Sequence, residues 1–290
     1  MIWLIGSKGM LGSELSLLLE KFGLPFIGTD REVDITDPPA LKNFALAQPG
    51  LDWIINCAAY TAVDKAEDDK ENCRLLNTEA PRNIAVQARE IGARLIHLST
   101  DYVFNGQGNK PYTEEDTTAP ASVYGLAKRD GEIGILDEHE KSYIIRTAWL
   151  YGKYGNNFVH TMLKLMNERD EVNVVNDQRG SPTWTHDLAE TIIEIIRFSG
   201  NAKTIPYGIY HYTNEGEITW FDFAKEIYRQ GRELGCVVKD CAVKPCTSAG
   251  FPSKVKRPVY SVLDKTKIQD ALKIKIPAWN ESLRKFILMM

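Results

Sequence analysis

The stretch ASVYGLAKRDGEIG, residues 121–134, places a tyrosine and a lysine four residues apart. Among the twelve tyrosines of the chain, only Tyr124 has a lysine, Lys128, at this spacing. Side chains four residues apart lie on one face of a helix, so both can reach the same bound group. A tyrosine with its ordinary pKa of about 10 is a poor proton relay at neutral pH, and a neighbouring ammonium lowers that pKa. The two residues are therefore a candidate acid–base pair, and the lysine could also hold ribose hydroxyls.

The same predicted helix carries three glycines, Gly125, Gly131 and Gly134. Each costs roughly 1 kcal/mol against alanine in a helix interior. Such a cost indicates that something packs closely against the helix, and the sheet, a cofactor and a partner helix all fit. The sequence does not choose among the three.

A second candidate site is the glycine-rich turn GSKGMLG, which contains Gly6, Gly9 and Gly12. It follows the apolar run IWLI and precedes an amphipathic stretch, as the turn of a βαβ dinucleotide site does. Unpaired N–H groups and the dipole at a helix N-terminus favour anions, and glycines let the backbone approach a pyrophosphate. The turn therefore predicts dinucleotide binding.

The second predicted strand ends at Thr29, followed by Asp30 and Arg31. An aspartate at this place accepts a hydrogen bond from the adenosine ribose and favours NAD, whereas an arginine can pair with the 2′-phosphate of NADP. Because both are present, the sequence leaves the choice between NADPH and NADH open.

The fourth predicted strand ends in Ser99, Thr100 and Asp101. Ligands of open α/β sheets bind at the carboxyl ends of the strands. A hydroxyl at this edge can share a hydrogen bond with the tyrosine and with a substrate carbonyl. These three residues are candidates for the substrate side of the site.

The elements that position these residues alternate between short apolar runs and amphipathic stretches. The runs are continuously apolar, as in parallel strands buried on both faces, which predicts a doubly wound α/β fold. The predicted strands are 2–5, 25–29, 52–58, 93–100 and 142–148, and the predicted helices are 10–22, 38–48, 72–91 and 124–137.

After about residue 150 the alternation changes, which indicates a second unit. We expect a dinucleotide-binding Rossmann domain over 1–150, rejoined by a helix at about 185–199. Residues 151–184 and 200–290 are then a smaller α/β substrate domain. The segment 241–261 is rich in proline, lysine and serine and is predicted to be a loop.

Composition limits the kinds of partner. The net charge of −4 argues against nucleic acid. The N-terminal residues show no secretory signal, and no run reaches the ~18 apolar residues of a membrane span. The five cysteines lack metal-type spacing and are interpreted as reduced thiols of a cytoplasmic protein.

Together, the glycine turn, the strand-end Ser/Thr and Tyr-x-x-x-Lys resemble the extended short-chain dehydrogenase/reductases. Further stretches resemble the dTDP-4-dehydrorhamnose reductase family within that group, and they extend the resemblance over nearly the whole chain. They are NCAAYTAVDKAE (56–67), LSTDYVFNG (98–106), RTAWLYG (146–152), GNNFVHTML (155–163), VVNDQRGSPT (174–183) and KRPVYSVLD (256–264).

The resemblance implies an NADPH- or NADH-dependent reduction of the C4 keto group of dTDP-4-dehydro-L-rhamnose to dTDP-L-rhamnose. Hydride comes from the nicotinamide, and Tyr124 protonates the developing alkoxide. Lys128 binds the nicotinamide ribose and lowers the pKa of the tyrosine, and Thr100 hydrogen-bonds near the reacting carbonyl.

The resemblance also assigns the remaining binding residues. The expected cofactor contacts are Gly6, Gly9, Met10, Leu11 and Gly12 at the pyrophosphate, Asp30, Arg31, Asp34 and Ile35 at the adenosine, and Ala58, Ala59, Tyr60 and Ser99 along the other side, together with Tyr124 and Lys128. The expected sugar-nucleotide contacts are Thr100, Asp101, Tyr124, Trp149, Asn157 and Arg257. Arg257 suits a diphosphate because its guanidinium is a planar donor fork.

Other functions of the same fold stay open. A dehydratase is disfavoured because Thr100 is followed by Asp-Tyr instead of the Asp-Glu of those enzymes. A nucleotide-sugar epimerase, another nucleotide-sugar reductase, or a non-catalytic subunit resembling that of methionine adenosyltransferase are the alternatives. The resemblance suggests a homodimer, and we expect no metal site because carboxylate ligands cannot be matched.

Overall fold

A computed structural model of the protein describes residues 1–200, 204–250 and 253–290. Its strands are β1 (Ile2–Ile5), β2 (Phe26–Thr29), β3 (Trp53–Asn56), β4 (Arg94–Thr100), β5 (Ser142–Thr147), β6 (Leu150–Tyr151), β7 (Glu171–Val175), β8 (Arg179–Gly180), β9 (Thr183–Trp184), β10 (Gly208–His211), β11 (Ile218–Thr219) and β12 (Ala242–Cys246). Its α-helices are α1 (Met10–Lys21), α2 (Pro38–Leu46), α3 (Val63–Ala66), α4 (Lys70–Arg74), α5 (Ala80–Ile91), α6 (Val123–Glu138), α7 (Phe158–Glu168), α8 (Thr185–Gly200), α9 (Trp220–Glu233), α10 (Thr266–Leu272) and α11 (Trp279–Leu288).

Six strands form one parallel sheet in the order β10-β5-β4-β3-β1-β2. All residues of β1 and β3 are buried, as their continuous apolar sequences predict. Helices cover both faces. The core on one face joins α1, α8 and α10 to the sheet, and the core on the other joins α2, α5 and α6. The predicted doubly wound α/β fold is confirmed.

The chain returns to this sheet after its first half. Helix α8 packs against α1, and β10 pairs with β5 at the edge of the sheet. The structure thus places β10 and α10 with the Rossmann layers, although the sequence assigned all of 200–290 to the second unit. A separate substrate domain formed by the remaining parts of 151–184 and 200–290 stays a prediction.

A third core, in addition to the two on the faces of the sheet, lies among α7, α9, α11 and the short strands β7 and β9. Here β12 pairs with β7 in parallel, so the prediction that 241–261 is entirely loop is wrong. Most side chains of β12 are exposed and Pro245 lies within it, so the strand shows neither a buried face nor a typical strand composition.

The helix predicted over 72–91 is confirmed, with one irregularity. Between α4 and α5 the chain forms one π-helical turn, Leu75–Glu79. Such turns widen a helix locally and bring its carbonyls into unusual positions. This turn lies against α6, the helix of Tyr124 and Lys128.

Within the described ranges, every helix is too short or too polar to cross a lipid bilayer.

Candidate active site

A cavity of about 1000 Å³ opens at the carboxyl ends of β1, β4 and β5. Its volume lies at the upper end of the usual range for ligand and cofactor pockets. Of the residues that the sequence and the resemblance assigned to the site, all line this cavity except Gly12, Tyr60 and Asn157.

The glycine turn forms one end of the cavity. Gly6 has φ +76°, and a Cβ added to it would lie 2.7 Å from the Ala58 nitrogen, so no larger residue fits. Helix α1 begins at Met10 directly after the turn, and no side chain caps its N-terminus among the described residues. Its first N–H groups therefore face the cavity without an intrahelical acceptor. This cradle fits a pyrophosphate.

Asp30 and Arg31 follow β2 at the same end of the cavity. Asp34 lies beside them, and its Oδ1 accepts hydrogen bonds from the Thr36 hydroxyl at 2.7 Å and backbone N–H at 2.9 Å. These bonds, the side-chain bond first, lower the pKa of Asp34. The structure thus offers both an acceptor and a guanidinium for the adenosine ribose, and it leaves the choice between NADPH and NADH open.

The proposed proton donor, Tyr124, lines the cavity near the N-terminus of α6 and is buried. The Ser122 hydroxyl caps this helix by accepting from the Gly125 N–H at 3.1 Å. Burial raises the pKa of Tyr124 above its ordinary value, and the Thr100 hydroxyl beside it lowers that pKa only in part. The phenol therefore keeps its proton at neutral pH, as a proton donor requires.

Lys128 lies one turn further along α6 and is 2% exposed. Its Nζ donates to the Leu98 carbonyl at 2.6 Å and lies 3.1 Å from His97 Nε2. Burial is the largest influence on the pKa of Tyr124, and the Lys128 amine is turned towards β4. The expectation that Lys128 lowers the pKa of this tyrosine stays a prediction.

Asp101 contributes a buried carboxyl to the substrate side of the cavity. Its Oδ1 accepts from the Thr100 hydroxyl at 2.9 Å, while its Oδ2 is buried and lacks a hydrogen-bond partner among the described residues. Burial raises the pKa of Asp101 to about 6, although the Ser261 and Thr100 hydroxyls oppose the shift. A buried carboxyl with a free oxygen suits a sugar hydroxyl.

We expect Asp101→Asn to stabilise the protein at neutral pH relative to wild type. The folded-state pKa of Asp101 lies above the ordinary 3.8. Between about pH 4 and 6 the folded protein therefore holds a proton that the unfolded chain releases, and wild-type stability falls as pH rises through this window. The amide cannot ionise, so the variant's advantage in unfolding free energy should grow by about 2–3 kcal/mol from pH 4 to pH 7. Urea unfolding at both pH values measures it, and an advantage independent of pH would contradict the buried carboxylate.

Ser99 lines the cavity, but its hydroxyl points away from it. The hydroxyl donates to Glu132, whose carboxylate is held by the Arg146 guanidinium at 2.7 and 2.9 Å. Glu132 and Arg146 are both almost fully buried. The Ser99 hydroxyl thus links the end of β4 to α6 by a hydrogen bond. The structure does not show the Ser99 side chain as a cofactor contact.

Trp149 lines the cavity in a strained conformation, with φ +49°. Its indole stacks on Trp220 with the ring centroids 3.7 Å apart. A Cβ on Gly180 would lie 2.6 Å from the same indole, so Gly180 makes room for it. The stacked pair adds an apolar wall to the cavity that Thr100 and Asp101 also line.

Arg257 reaches the rim of the cavity from the C-terminal part of the chain. Its Nη2 donates to Asp64 Oδ2 at 2.8 Å, and the neighbouring Ser253 hydroxyl donates to Asp64 Oδ1 at 2.7 Å. Both charged side chains are partly exposed. The guanidinium is therefore placed at the cavity with donors left for an anionic ligand.

The comparisons with known proteins agree with this geometry. The sequence matches the family model described as RmlD substrate binding domain over residues 1–290. The chain belongs to the RmlD family.

Similar proteins carry the names of reductases of dTDP-linked keto sugars. The chain is 43% identical to the dTDP-4-dehydrorhamnose reductase of Streptomyces griseus, over 97% of this chain and 91% of the relative. It is also 43% identical to a probable dTDP-4,6-dihydroxy-2-methyloxan-3-one 4-ketoreductase of Streptomyces antibioticus, over 98% and 94%. The crystal structure of the Bacillus anthracis dTDP-4-dehydrorhamnose reductase in complex with NADP has a TM-score of 0.92 and 36% identity, covering 100% of this chain and 99% of that one.

Three residues that the RmlD resemblance assigned to ligands lie outside the cavity lining. Gly12 is required by the packing of the glycine turn, because a Cβ at this position would lie 2.1 Å from the Gly6 carbonyl oxygen. Tyr60 is bound to the π-helical turn through Asn77 and to Asp69 through its hydroxyl. Asn157 caps α7, accepting from the His160 N–H at 3.1 Å and donating to the Gly152 carbonyl at 2.7 Å. Asn156 lines the cavity instead.

Sequence reasoning missed other lining residues of this RmlD-family site. Gln178, Trp220 and Ser261 line the cavity from the second half of the chain. Two of them lie within stretches that carried the family resemblance, but nothing in their own residue types or spacing singled them out. Their position in the cavity depends on how the third core packs against the sheet.

No group of three metal-ligating His, Cys, Asp or Glu side chains comes together in residues 1–200, 204–250 and 253–290. The expectation that this RmlD-family member needs no metal stays a prediction.

Proposed function

We propose that the protein reduces the C4 keto group of a dTDP-4-keto-6-deoxy sugar, with dTDP-4-dehydro-L-rhamnose as its substrate and NADPH or NADH as the reductant. The observation that carries the proposal is the convergence of Thr100, Tyr124 and Lys128 in one cavity whose other end is the glycine turn. Membership of the RmlD family supports the choice of reaction.

The residues fit the cofactor. The N-terminus of α1 offers free N–H groups to the pyrophosphate, and Asp30, Arg31 and Asp34 lie where the adenosine ribose would be held. Lys128 is the cation that would hold the nicotinamide ribose. When bound, the nicotinamide supplies the hydride.

The chain itself supplies the proton and the orientation of the sugar. Tyr124 holds a phenolic proton that it can give to the developing C4 alkoxide, and the Thr100 hydroxyl lies beside it. Asp101 offers a carboxyl oxygen to a neighbouring sugar hydroxyl. The Trp149 and Trp220 indoles face the apolar part of a deoxy sugar, and Arg257 would pair with the diphosphate.

Similar relatives carry names with different dTDP-keto sugars, so the choice of sugar is decided by the substrate test below. The homodimer is a prediction from the resemblance, the cytoplasmic location a prediction from the reduced cysteines, and the absence of a nucleic-acid partner a prediction from the net charge of −4.

The test follows the absorbance of NADPH and of NADH when purified protein is mixed with dTDP-4-dehydro-L-rhamnose. We expect oxidation of at least one cofactor that depends on the keto sugar and forms dTDP-L-rhamnose. Product formed catalytically without added cofactor would instead indicate an epimerase. Folded protein that oxidises neither cofactor would overturn the proposal.

A further inference from the structure

A chain of hydrogen bonds leads to the buried amine of Lys128, and the donor and the acceptor of its bonds can be assigned. The chain begins at the backbone N–H of Ala58, which can only donate, and it reaches Asn56 Oδ1 at 3.0 Å. This fixes the orientation of the Asn56 amide, so its Nδ2 faces His97 Nδ1 at 3.0 Å. Because an amide NH₂ also only donates, His97 Nδ1 must be the acceptor.

The tautomer of His97 follows from this. His97 is fully buried, and burial is the main reason why its pKa lies well below the ordinary value. The ring is therefore neutral and carries its single proton on Nε2. That nitrogen lies 3.1 Å from Lys128 Nζ. The ring thus presents a donor to the lysine.

An ammonium group has three donors and no lone pair, whereas a neutral amine can accept one hydrogen bond. Lys128 Nζ also donates to the Leu98 carbonyl, which either form can do. The contact with His97 is therefore a satisfied hydrogen bond only when Lys128 is the neutral amine. If Lys128 were an ammonium, one of its N–H donors would face the Nε2–H donor of His97 in a buried place.

The other groups around Lys128 do not reverse this preference. Burial lowers the pKa of Lys128 to about 8, and Glu132, Cys73 and Cys57 oppose the shift. The Glu132 carboxylate is already paired with Arg146. Burial also raises the pKa of Cys57 to about 12, so its thiol is neutral. Tyr124, on the same helix, keeps its proton as well.

We propose that His97, held by Asn56, is a positioning residue that favours the neutral amine of Lys128 in the free protein, so that dinucleotide binding at pH 8.5 takes up a proton at Lys128. The proton comes from the buffer. Phosphates and ribose oxygens entering the cavity are negative or accepting groups, and they favour the ammonium. The inference rests on the proposed function only in requiring that NADPH or NADH binds in this cavity.

The test is isothermal titration of the protein with NADPH, and with NADH as a second probe, at pH 8.5 in two buffers of different protonation enthalpy. At this pH the 2′-phosphate of NADPH is already ionised, with its pKa near 6, and does not contribute. The difference between the two observed heats gives the number of protons taken up. We expect on the order of half a proton or more per site, falling towards zero at pH 6.5, where most of the free protein already carries the ammonium.

Two variants separate the role of His97 from general burial. In His97→Gln the side-chain amide can turn its oxygen towards the ammonium, so proton uptake at pH 8.5 should fall by at least half. In Asn56→Asp the carboxylate accepts from Nδ1, which shifts the His97 proton away from Nε2 and gives the same decrease. His139→Gln is the matched control, because His139 is also buried and bonds a carbonyl, Ala93, through Nε2 at 2.8 Å, yet does not contact Lys128. Its proton uptake should equal that of wild type.

A second measurement does not use the cofactor. Nitrogen-15 NMR of the imidazole should show the proton of His97 on Nε2 in the free protein at pH 9. A proton on Nδ1, or cofactor binding with equal heats in both buffers at pH 8.5, would overturn the inference while leaving the proposed function intact. The absence of any binding heat with either dinucleotide would overturn both.

Discussion

Tyr124→Phe is expected to reduce keto-sugar-dependent cofactor oxidation by about 10²- to 10⁴-fold, the range that a positioned general acid contributes. The phenol lies beside Thr100 in the cavity, and burial keeps it protonated, so it can supply the proton that the proposed reaction needs. Phenylalanine cannot supply that proton. The rate with saturating substrate and NADPH measures the effect.

The variant should fold normally, which makes the result interpretable. The Tyr124 ring packs in a small cluster with Ala66, Cys73 and Ala127, and it meets Tyr102 edge-on at 5.6 Å. Phenylalanine keeps all of these apolar contacts. The dissociation constant for NADPH, followed by fluorescence, should stay unchanged.

Tyr102→Phe is the matched control, because Tyr102 lines the same cavity and loses the same atom. We expect it to keep most of the activity. Equal losses in the two variants, or an unchanged rate in Tyr124→Phe, would contradict the assignment of Tyr124 as the proton donor.

The fold and the site residues at the ends of the strands could be predicted because short stretches of sequence determine them. Continuous apolar runs indicated buried parallel strands, and the ends of those strands are where Gly6, Thr100 and Asp101 line the cavity. Such assignments need only local patterns and the rule that ligands bind at the carboxyl ends of the strands. Helical spacing made Tyr124 and Lys128 candidates, and the glycine turn and the strand-end hydroxyls gave the pair its proposed role.

The remaining features depend on contacts between distant parts of the chain. The direction of the Lys128 amine is set by His97 on β4 and Asn56 on β3, which no spacing rule connects with α6. Asn157 shows a related difficulty, since a polar residue in a family stretch is a helix cap in this structure and its contact with the substrate stays a prediction. A polar side chain can serve the backbone or a ligand, and sequence alone does not tell which.

At the glycines of α6, too, contacts with distant parts of the chain decide which residue type fits. A Cβ on Gly125 would lie 2.2 Å from the Tyr102 carbonyl oxygen, and one on Gly131 would lie 2.1 Å from the Asn77 carbonyl oxygen. The close approach that the sequence required is thus to protein backbone, and at Gly131 it is to the π-helical turn. These contacts bring α6 near enough to place Tyr124 and Lys128 in the cavity.

Gly131→Ala should therefore destabilise the protein by about 3 kcal/mol, the upper part of the range for overpacked interiors. Alanine is the better helix former by roughly 1 kcal/mol, so intrinsic propensity alone predicts the opposite sign. Steric overlap decides, because a backbone carbonyl held in a helix cannot move aside as a flexible side chain can. The midpoint of urea unfolding, with an unchanged m-value, measures the loss.

Gly134→Ala is the matched control in the same helix. Its added Cβ would lie 3.3 Å from the Arg82 Cβ, which belongs to a partly exposed side chain. The gain in helix propensity and this mild contact nearly balance, so stability should stay within about 1 kcal/mol of wild type. Gly131→Ala should also lose activity, since α6 must move as a body and carries Tyr124 and Lys128 with it. Equal stability of the two variants would show that the approach of α6 to the π-helical turn does not hold the catalytic helix in place.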